Sequence, residues 1–344
     1  MNIRRSFVLL LFILMGMVSN AQEFKTKQTT LVIKKTADWC PFCGLYGWDY
    51  FKGLYDNVKM DENAILVAMH YSGGLQNTAA LQITNNFNVP GQPVIIVDNQ
   101  DILLNSDNTN AKITETRTAI QNNAGRNAAV ALDLDLVKIN AAKFSINLKA
   151  KAAQDLSGVE TYVGFYKVQN NVIHTQASRS ATASHINVLQ GAYHSGSVWG
   201  LPLFMGNVSK GSEMAIGVEM EAFATSTDNK ILAIVWIKGP DGKYRFLNGQ
   251  MINSTELTTS NREIEQNVNF QAYYSNDRVE VNWGGQKIDK CLLVNTLGQA
   301  LPLAQIKEEG EKHTFESPNV TSGNYFVVVH SGGQVRSKAI QIQK

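Results

Sequence analysis

The segment ADWCPFCG at 37–44 constrains this chain more tightly than any other. Behind it lies TTLVIKKT at 29–36, β-branched and apolar enough for a strand. Ahead of it Phe42, Leu45, Trp48, Phe51, Leu54 and Tyr55 recur at roughly helical spacing, which predicts a helix over 41–58 despite the glycines at 44, 47 and 53. Any fold must therefore bring a strand end, two cysteines two residues apart and a helix start to one place. Cys40 and Cys43 in that setting read three ways: a redox pair, half of a metal site, or a local staple.

A metal site needs two more cysteine or histidine ligands. Cys291, the third and last cysteine, sits in the apolar run CLLV and reads as a small buried hydrophobe. His70 ends the apolar run AILVAMH and reads as a core residue. No metal and no cofactor is expected. Thiol–disulfide exchange needs a thiolate and a second thiol close enough to resolve the mixed disulfide. Cys40, at a helix start where free backbone N–H groups favour the anion, suits the nucleophile, and Cys43 the resolver. Pro41 fits the first turn, where its missing N–H is not needed. Trp39 and Phe42 supply an apolar rim. The rival reading, from a different class, is a non-catalytic surface or outer-membrane binding protein in which Cys40–Cys43 is a fixed structural disulfide.

The compartment bears on that choice. Arg4 and Arg5, the apolar stretch Phe7 to Val18, and the small residues of Ser19-Asn20-Ala21 read as a secretory signal at 1–21. The apolar stretch is too short for a stable membrane span, and no later segment qualifies. Secretion permits disulfides, yet the chain uses only 3 cysteines, so a pair concentrated at this spacing points to chemistry rather than stapling. Hydrophobic residues make up 44% and charged ones only 17%; no basic patch stands out, so nucleic acid is not an expected partner.

Beyond the helix, AILVAMH at 64–70 reads as a doubly buried strand, 76–86 as a helix, and NVPGQPVIIVD as a loop into a strand over 94–97. Ile102 to Leu104 is expected to pair beside it, and 111–124 to form a last helix. Alternating strands and helices give a mixed, helix-covered sheet. After Arg126 the texture changes to period-two runs at 130–138, 144–152 and 159–168, with further strands at 186–189, 215–224, 231–237 and 244–247, an antiparallel sandwich pattern. Polar residues 252–267 mark a linker, and short strands follow to the end. These readings place a signal peptide at 1–21, an α/β domain at 22–126, a β-sandwich at 127–252, a linker at 253–267 and a small β-domain at 268–344.

Trp39-Cys40-Pro41-Phe42-Cys43, Pro93 and the element order over 24–126 together resemble the thioredoxin fold. The resemblance implies an α/β thioredoxin-like head; with the alternation that follows and the short strands at the end, the expectation is a multi-domain chain of that head, an all-β sandwich and a small C-terminal Ig-like sandwich. It implies protein or peptide thiols and disulfides as partners, a cis Pro93 docking an extended substrate, and a polar contact from Gln92. The Pro-Phe dipeptide resembles those of glutaredoxins and periplasmic disulfide oxidoreductases. WCPFCG with His185-Ile186-Asn187-Val188-Leu189 and GSVWG at 196–200 resembles the outer-membrane-protein-28-related family. His185, His194 and Trp199 there read as strand and loop residues ahead of a pocket. NTLGQ at 295–299, Ser322 to Val328 and the closing strand 338–343 resemble a type IX secretion sorting domain. That implies the type IX machinery as a partner and a secreted, cell-surface or outer-membrane location.

Overall fold

Strand Thr30–Ala37 is buried along its whole length, as a strand covered on both faces must be. It pairs in parallel with Ala64–Ser72 on one side and antiparallel with Val94–Val97 on the other. The structure, a computed structural model, describes residues 24–193, 197–258, 270–295, 300–316, 320–331 and 334–342. The expected signal peptide at 1–21, His194, Gly196, positions 259–267 of the linker and 296–299 of the NTLGQ turn lie outside the described residues.

The chain does not form the expected α/β thioredoxin-like head followed by a separate sandwich. Among the described residues it is mostly β, 54% strand against 14% helix. The outer edge of Ala64–Ser72 is not an edge. Val188–Ala192 pairs with it in parallel and then antiparallel with Leu156–Gln169, which in turn pairs with Asn229–Lys238. The result is one nine-stranded sheet that runs from Gln100–Asp101 to Tyr244–Asn253, with Leu201–Val208 branching from Leu156–Gln169. The physical cause is the row of backbone N–H and C=O groups that a fully buried strand would otherwise leave unpaired.

One face of this sheet carries a continuous core, in which Ile33, Val67 and Met69 meet Tyr166, Leu232 and Trp236. The helix Thr78–Asn86, capped by the Asn77 side chain, covers part of it. The other face is divided. Helices Tyr46–Val58 and Thr109–Ala124 cover the Thr30–Ala37 wing through Tyr50, Phe51, Leu54 and Ile120. A five-stranded sheet, built on Asn127–Lys138, Lys143–Ala152 and Glu213–Glu221, covers the far wing through Leu132, Leu134, Ile146 and Leu148. The sheet curls so that its ends meet: Asn99, just ahead of Gln100–Asp101, donates from Nδ2 to the Phe246 carbonyl at 3.1 Å and accepts from Phe246 N at 2.6 Å. Nearby, the hydroxyl of Thr29 donates to Asn248 Oδ1 at 2.8 Å, and Asn248 Nδ2 donates to the Val130 carbonyl of the five-stranded sheet at 2.8 Å. Residues 270–342 form a seven-stranded sheet around Val281, Trp283, Cys291, Phe315 and Val329. Val294 and Val328 on its outside join the core of the five-stranded sheet.

The seam between the two wings rests on Asn187. Its carbonyl accepts from Ala68 N at 2.8 Å, and its side-chain amide donates to the Leu66 carbonyl at 3.0 Å. Lys230 Nζ donates to its Oδ1 at 3.1 Å. Its φ of 45° lies in the left-handed region, which asparagine tolerates better than most residues. Asn187→Ala leaves the Leu66 carbonyl buried and unpaired. Chemical denaturation is expected to show a loss of about 2–3 kcal/mol, and Asn187→Gly, which keeps the backbone freedom, is expected not to restore it.

Candidate functional site

At the C-terminal end of Thr30–Ala37 the chain turns through Asp38 and Trp39 into Cys40. Cys40 caps a single helical turn, Pro41–Gly44, with Pro41 in its first position. The expected helix over 41–58 is therefore broken at Leu45, and the longer helix begins at Tyr46. Leu45 itself leaves the helical path, with φ −92° and ψ −114°. Gly44 before it admits a distant segment: a Cβ there would overlap the carbonyl oxygen of Ala177.

Cys40 and Cys43 form a disulfide. The backbone N–H of Cys43 points at Cys40 Sγ, 3.1 Å away. Cys40 keeps 2% of its surface exposed and Cys43 none. Around them the expected rim is present. Trp39 is 53% exposed and donates its indole N–H to Ser72 Oγ at 3.1 Å; Phe42 is 58% exposed and packs on Tyr46 with ring centroids 6.0 Å apart. The Gln92–Pro93 peptide is cis, and the Gln92 carbonyl oxygen lies 3.9 Å from Cys40 Sγ. Pro93 packs so closely on the longer helix that a Cβ on Gly47 would come within 2.7 Å of its ring. The Gln92 side chain, expected to offer a substrate a polar contact, accepts from the Tyr71 hydroxyl at 2.8 Å through its carbonyl oxygen.

A clamp that the sequence did not announce holds this turn. The connection between Leu156–Gln169 and Val188–Ala192 climbs beside the longer helix as a two-stranded hairpin, Val172–His174 with Ala183–His185. At its tip Gln176 Nε2 donates to the carbonyls of Asp38 and Cys40, both at 3.1 Å, and Ala177 N donates to Asp38 O at 2.7 Å. Arg179 donates to the Gly44 carbonyl and pairs with Asp49. Gln176 and Arg179 lie in a polar run with no periodicity, so nothing local marks them.

Behind the disulfide lies a basic pocket. Lys34 is only 4% exposed, and its Nζ donates to the Cys43 carbonyl at 3.4 Å. The faces of Trp48 and Phe51 flank it at 5.3 and 5.7 Å. Burial, and next the charge of Arg179, push its ammonium down to about 7, against an opposing pull from Asp49. His70 and His185 line the same cavity, with ring centroids 5.1 Å apart. Neither ring nitrogen of His70, nor Nε2 of His185, has a hydrogen-bond partner. Burial, followed by the charges of His185 and Lys34, pushes His70 far down; burial and Lys34 push His185 down to about 4, although backbone groups of His174 and Thr175 support its charged form. His185, read from sequence as a strand residue, thus belongs to the surroundings of the disulfide. Trp199 does not: it stacks on Tyr244 at 4.2 Å and packs edge-on against Trp236. Among the described residues no cluster of three or more His, Cys, Asp or Glu side chains is arranged to hold a metal ion.

No family model matches the chain, and neither does any curated protein. One solved structure shares its fold. HBP35 of Porphyromonas gingivalis matches over 93% of this chain and 100% of its own, with a TM-score of 0.54 and 18% identity. At that identity the likeness is one of fold alone. A domain of the outer membrane lipoprotein Omp28 from Porphyromonas gingivalis matches over 38% of this chain and 90% of its own, with 11% identity; its TM-score of 0.25 carries no argument. No helix among the described residues is long and apolar enough to cross a membrane.

The buried histidines set a pH dependence. The folded chain holds His185 neutral down to about 4, whereas an unfolded histidine titrates near 6.5. As pH falls through that interval the unfolded chain takes up the proton and the folded one does not, so stability falls with it. Denaturant midpoints measured between pH 7 and 4 are expected to decline by on the order of 2 kcal/mol for this group, and His185→Leu to flatten the decline.

Proposed function

We propose that this is a secreted or surface protein that exchanges disulfides with protein substrates through Cys40 and Cys43. The observation that carries the reading is the asymmetric burial of a short-range disulfide beneath an exposed aromatic rim. Cys40 retains a sliver of surface, receives the Cys43 N–H and faces the Gln92 carbonyl; Cys43 has no surface at all. A substrate thiolate reaches only Cys40, so attack is one-sided and the mixed disulfide forms there. Cys43 is then the leaving sulfur in this direction and the resolving one in reverse. Trp39 and Phe42 keep water from the reacting sulfurs and offer apolar surface to an unfolded segment. Pro41 sets the turn, and Pro93 with the Gln92 carbonyl borders the approach.

Location and export belong to the same proposal. The sequence resemblances to a secretory signal at 1–21 and to a sorting domain at 268–344 support delivery to the cell surface, with the type IX machinery as the export partner. The Ser322 to Val328 segment of that resemblance runs into a strand, Gly323–Ser331, paired on both sides.

A second reading has its own observation. Three backbone carbonyls of the CPFC turn, those of Asp38, Cys40 and Gly44, are bound by Gln176 and Arg179. A turn so held suits a fixed disulfide in a binding protein. Turnover separates the two. With a reduced, unfolded protein as substrate, the wild-type chain is expected to catalyse disulfide formation or exchange, and Cys40→Ser to fall to the uncatalysed rate. Cys43→Ser is expected to accumulate a substrate adduct on Cys40, visible as a mass shift reversed by dithiothreitol. Equal rates for wild type and Cys40→Ser would leave only the fixed disulfide.

A further inference from the structure

An ammonium group buried in protein normally rests against a carboxylate, because the cost of removing it from water is otherwise uncompensated. Lys34 does not. Its one hydrogen bond is to the Cys43 carbonyl at 3.4 Å, and two aromatic faces complete its surroundings. On the longer helix, Asp49 is paired with Arg179, and Lys52, which lines the cavity, is paired with Asp56. From strand Ala64–Ser72 comes His70, and from the hairpin come His185, Arg179 and His174, the last beside Asp38 at 3.4 Å. The two acids near the turn are thus engaged by other bases, and among the described residues no carboxylate forms an ion pair with Lys34, although Asp49 acts on it from a distance. The pocket is a place for a cation that lacks its anion.

One reaction supplies that anion. When the Cys40–Cys43 bond is broken by attack on Cys40, its electron pair leaves on Cys43, the fully buried sulfur of the residue whose carbonyl Lys34 already holds. Resting on the exchange reading above, we infer that Lys34 is the proton partner of this couple, and that it biases the protein toward taking electrons from substrate dithiols. The first substrate thiolate bonds to Cys40 Sγ, the Cys40–Cys43 bond breaks, and the Cys43 thiolate forms against the Lys34 ammonium. The second substrate thiolate attacks the mixed disulfide and releases Cys40. The substrate dithiol has lost two electrons and becomes a disulfide. The protein has gained them, with one of the substrate's protons on the Cys40 sulfur. Where Lys34 starts neutral it takes up the second proton; where it starts charged, that proton goes to solvent. The reduced state gains an ion pair that the disulfide state lacks, and stabilising the reduced state makes the couple more oxidising.

This assignment has a signature that a structural lysine lacks. For a two-electron couple each proton taken up adds about 30 mV per pH unit to the slope of potential against pH, since tenfold in equilibrium constant is 29.6 mV. Ordinary thiols make that slope shallower as pH rises, because reduction takes up fewer protons once they ionise. A lysine that gains its proton on reduction does the reverse. While Cys40 stays protonated in the reduced form, reduction retains one proton below about 7, where Lys34 is already charged in the disulfide form, and two above it. The full chain, equilibrated with glutathione redox buffers between pH 5.5 and 9 and scored by thiol alkylation, is expected to show a slope near 30 mV per pH unit that steepens toward 60 around neutrality. Lys34→Arg, charged throughout, is expected to stay oxidising and lose the steepening. Lys34→Gln is expected to lose both, with its equilibrium constant shifted about tenfold or more toward the disulfide. A wild-type slope that never steepens overturns the inference while leaving exchange intact, and needs no variant to fold. A disulfide that no buffer reduces overturns the exchange reading and this inference with it.

Discussion

The pairing of Asn187 and Val188 with the middle of strand Ala64–Ser72 is the contact on which the rest of the molecule depends. It joins segments more than a hundred residues apart into one sheet. It also decides where the connection ahead of Val188 must travel. With its end fixed beside Ala68 and its start at the end of Leu156–Gln169, that connection runs up the flank of the helix Tyr46–Val58. Asn170 Nδ2 reaches Tyr55 OH at 3.2 Å, His185 lies edge-on to Trp48, and Arg179 meets Asp49. The hairpin therefore arrives at the CPFC turn as a result of sheet topology.

The same geometry explains the electrostatics. Strand Thr30–Ala37 places Lys34 under the helix; Ala64–Ser72 places His70 beside it; the hairpin adds His185 and Arg179. Four basic side chains converge, and the nearby acids, Asp38 and Asp49, are both drawn outward by His174 and Arg179. Burial then holds the inner bases toward neutrality. A pocket of this kind is poised toward negative charge at the sulfurs it backs.

Much of the local structure was legible. Continuous apolar runs gave the strands at 30–37, 64–72 and 94–97, and the apolar–polar alternation at 130–138 and 144–152 gave the strands now seen there. The cysteine pair, its aromatic flanks and Pro93 were found as neighbours. Three things were not legible, for distinct reasons. The continuity of the sheet depends on which edge a strand offers to a partner far along the chain, and neither composition nor period encodes that. The break at Leu45 lies beside the place where Ala177, from far along the chain, packs on Gly44, although the glycines at 44 and 47 were a visible warning. The short strand Gln100–Asp101 falls before the expected 102–104, because Leu103 adopts a φ of 55°. Lys34 left a trace: a lysine inside an otherwise apolar, doubly covered strand is an anomaly, but only coordinates show that it lacks a counter-ion.

The clamp on the CPFC turn spans 135 residues of sequence, from Gly44 to Arg179. A polypeptide leaves the ribosome, or enters a new compartment, with its N-terminal end first. Cys40 and Cys43 are therefore present, uncovered and without their basic backing of Arg179 and His185, for as long as it takes the following hundred-odd residues to appear. During that interval the two sulfurs meet their surroundings directly; afterwards they lie beneath the clamp. The turn is thus among the first parts of the chain to appear and among the last to be enclosed.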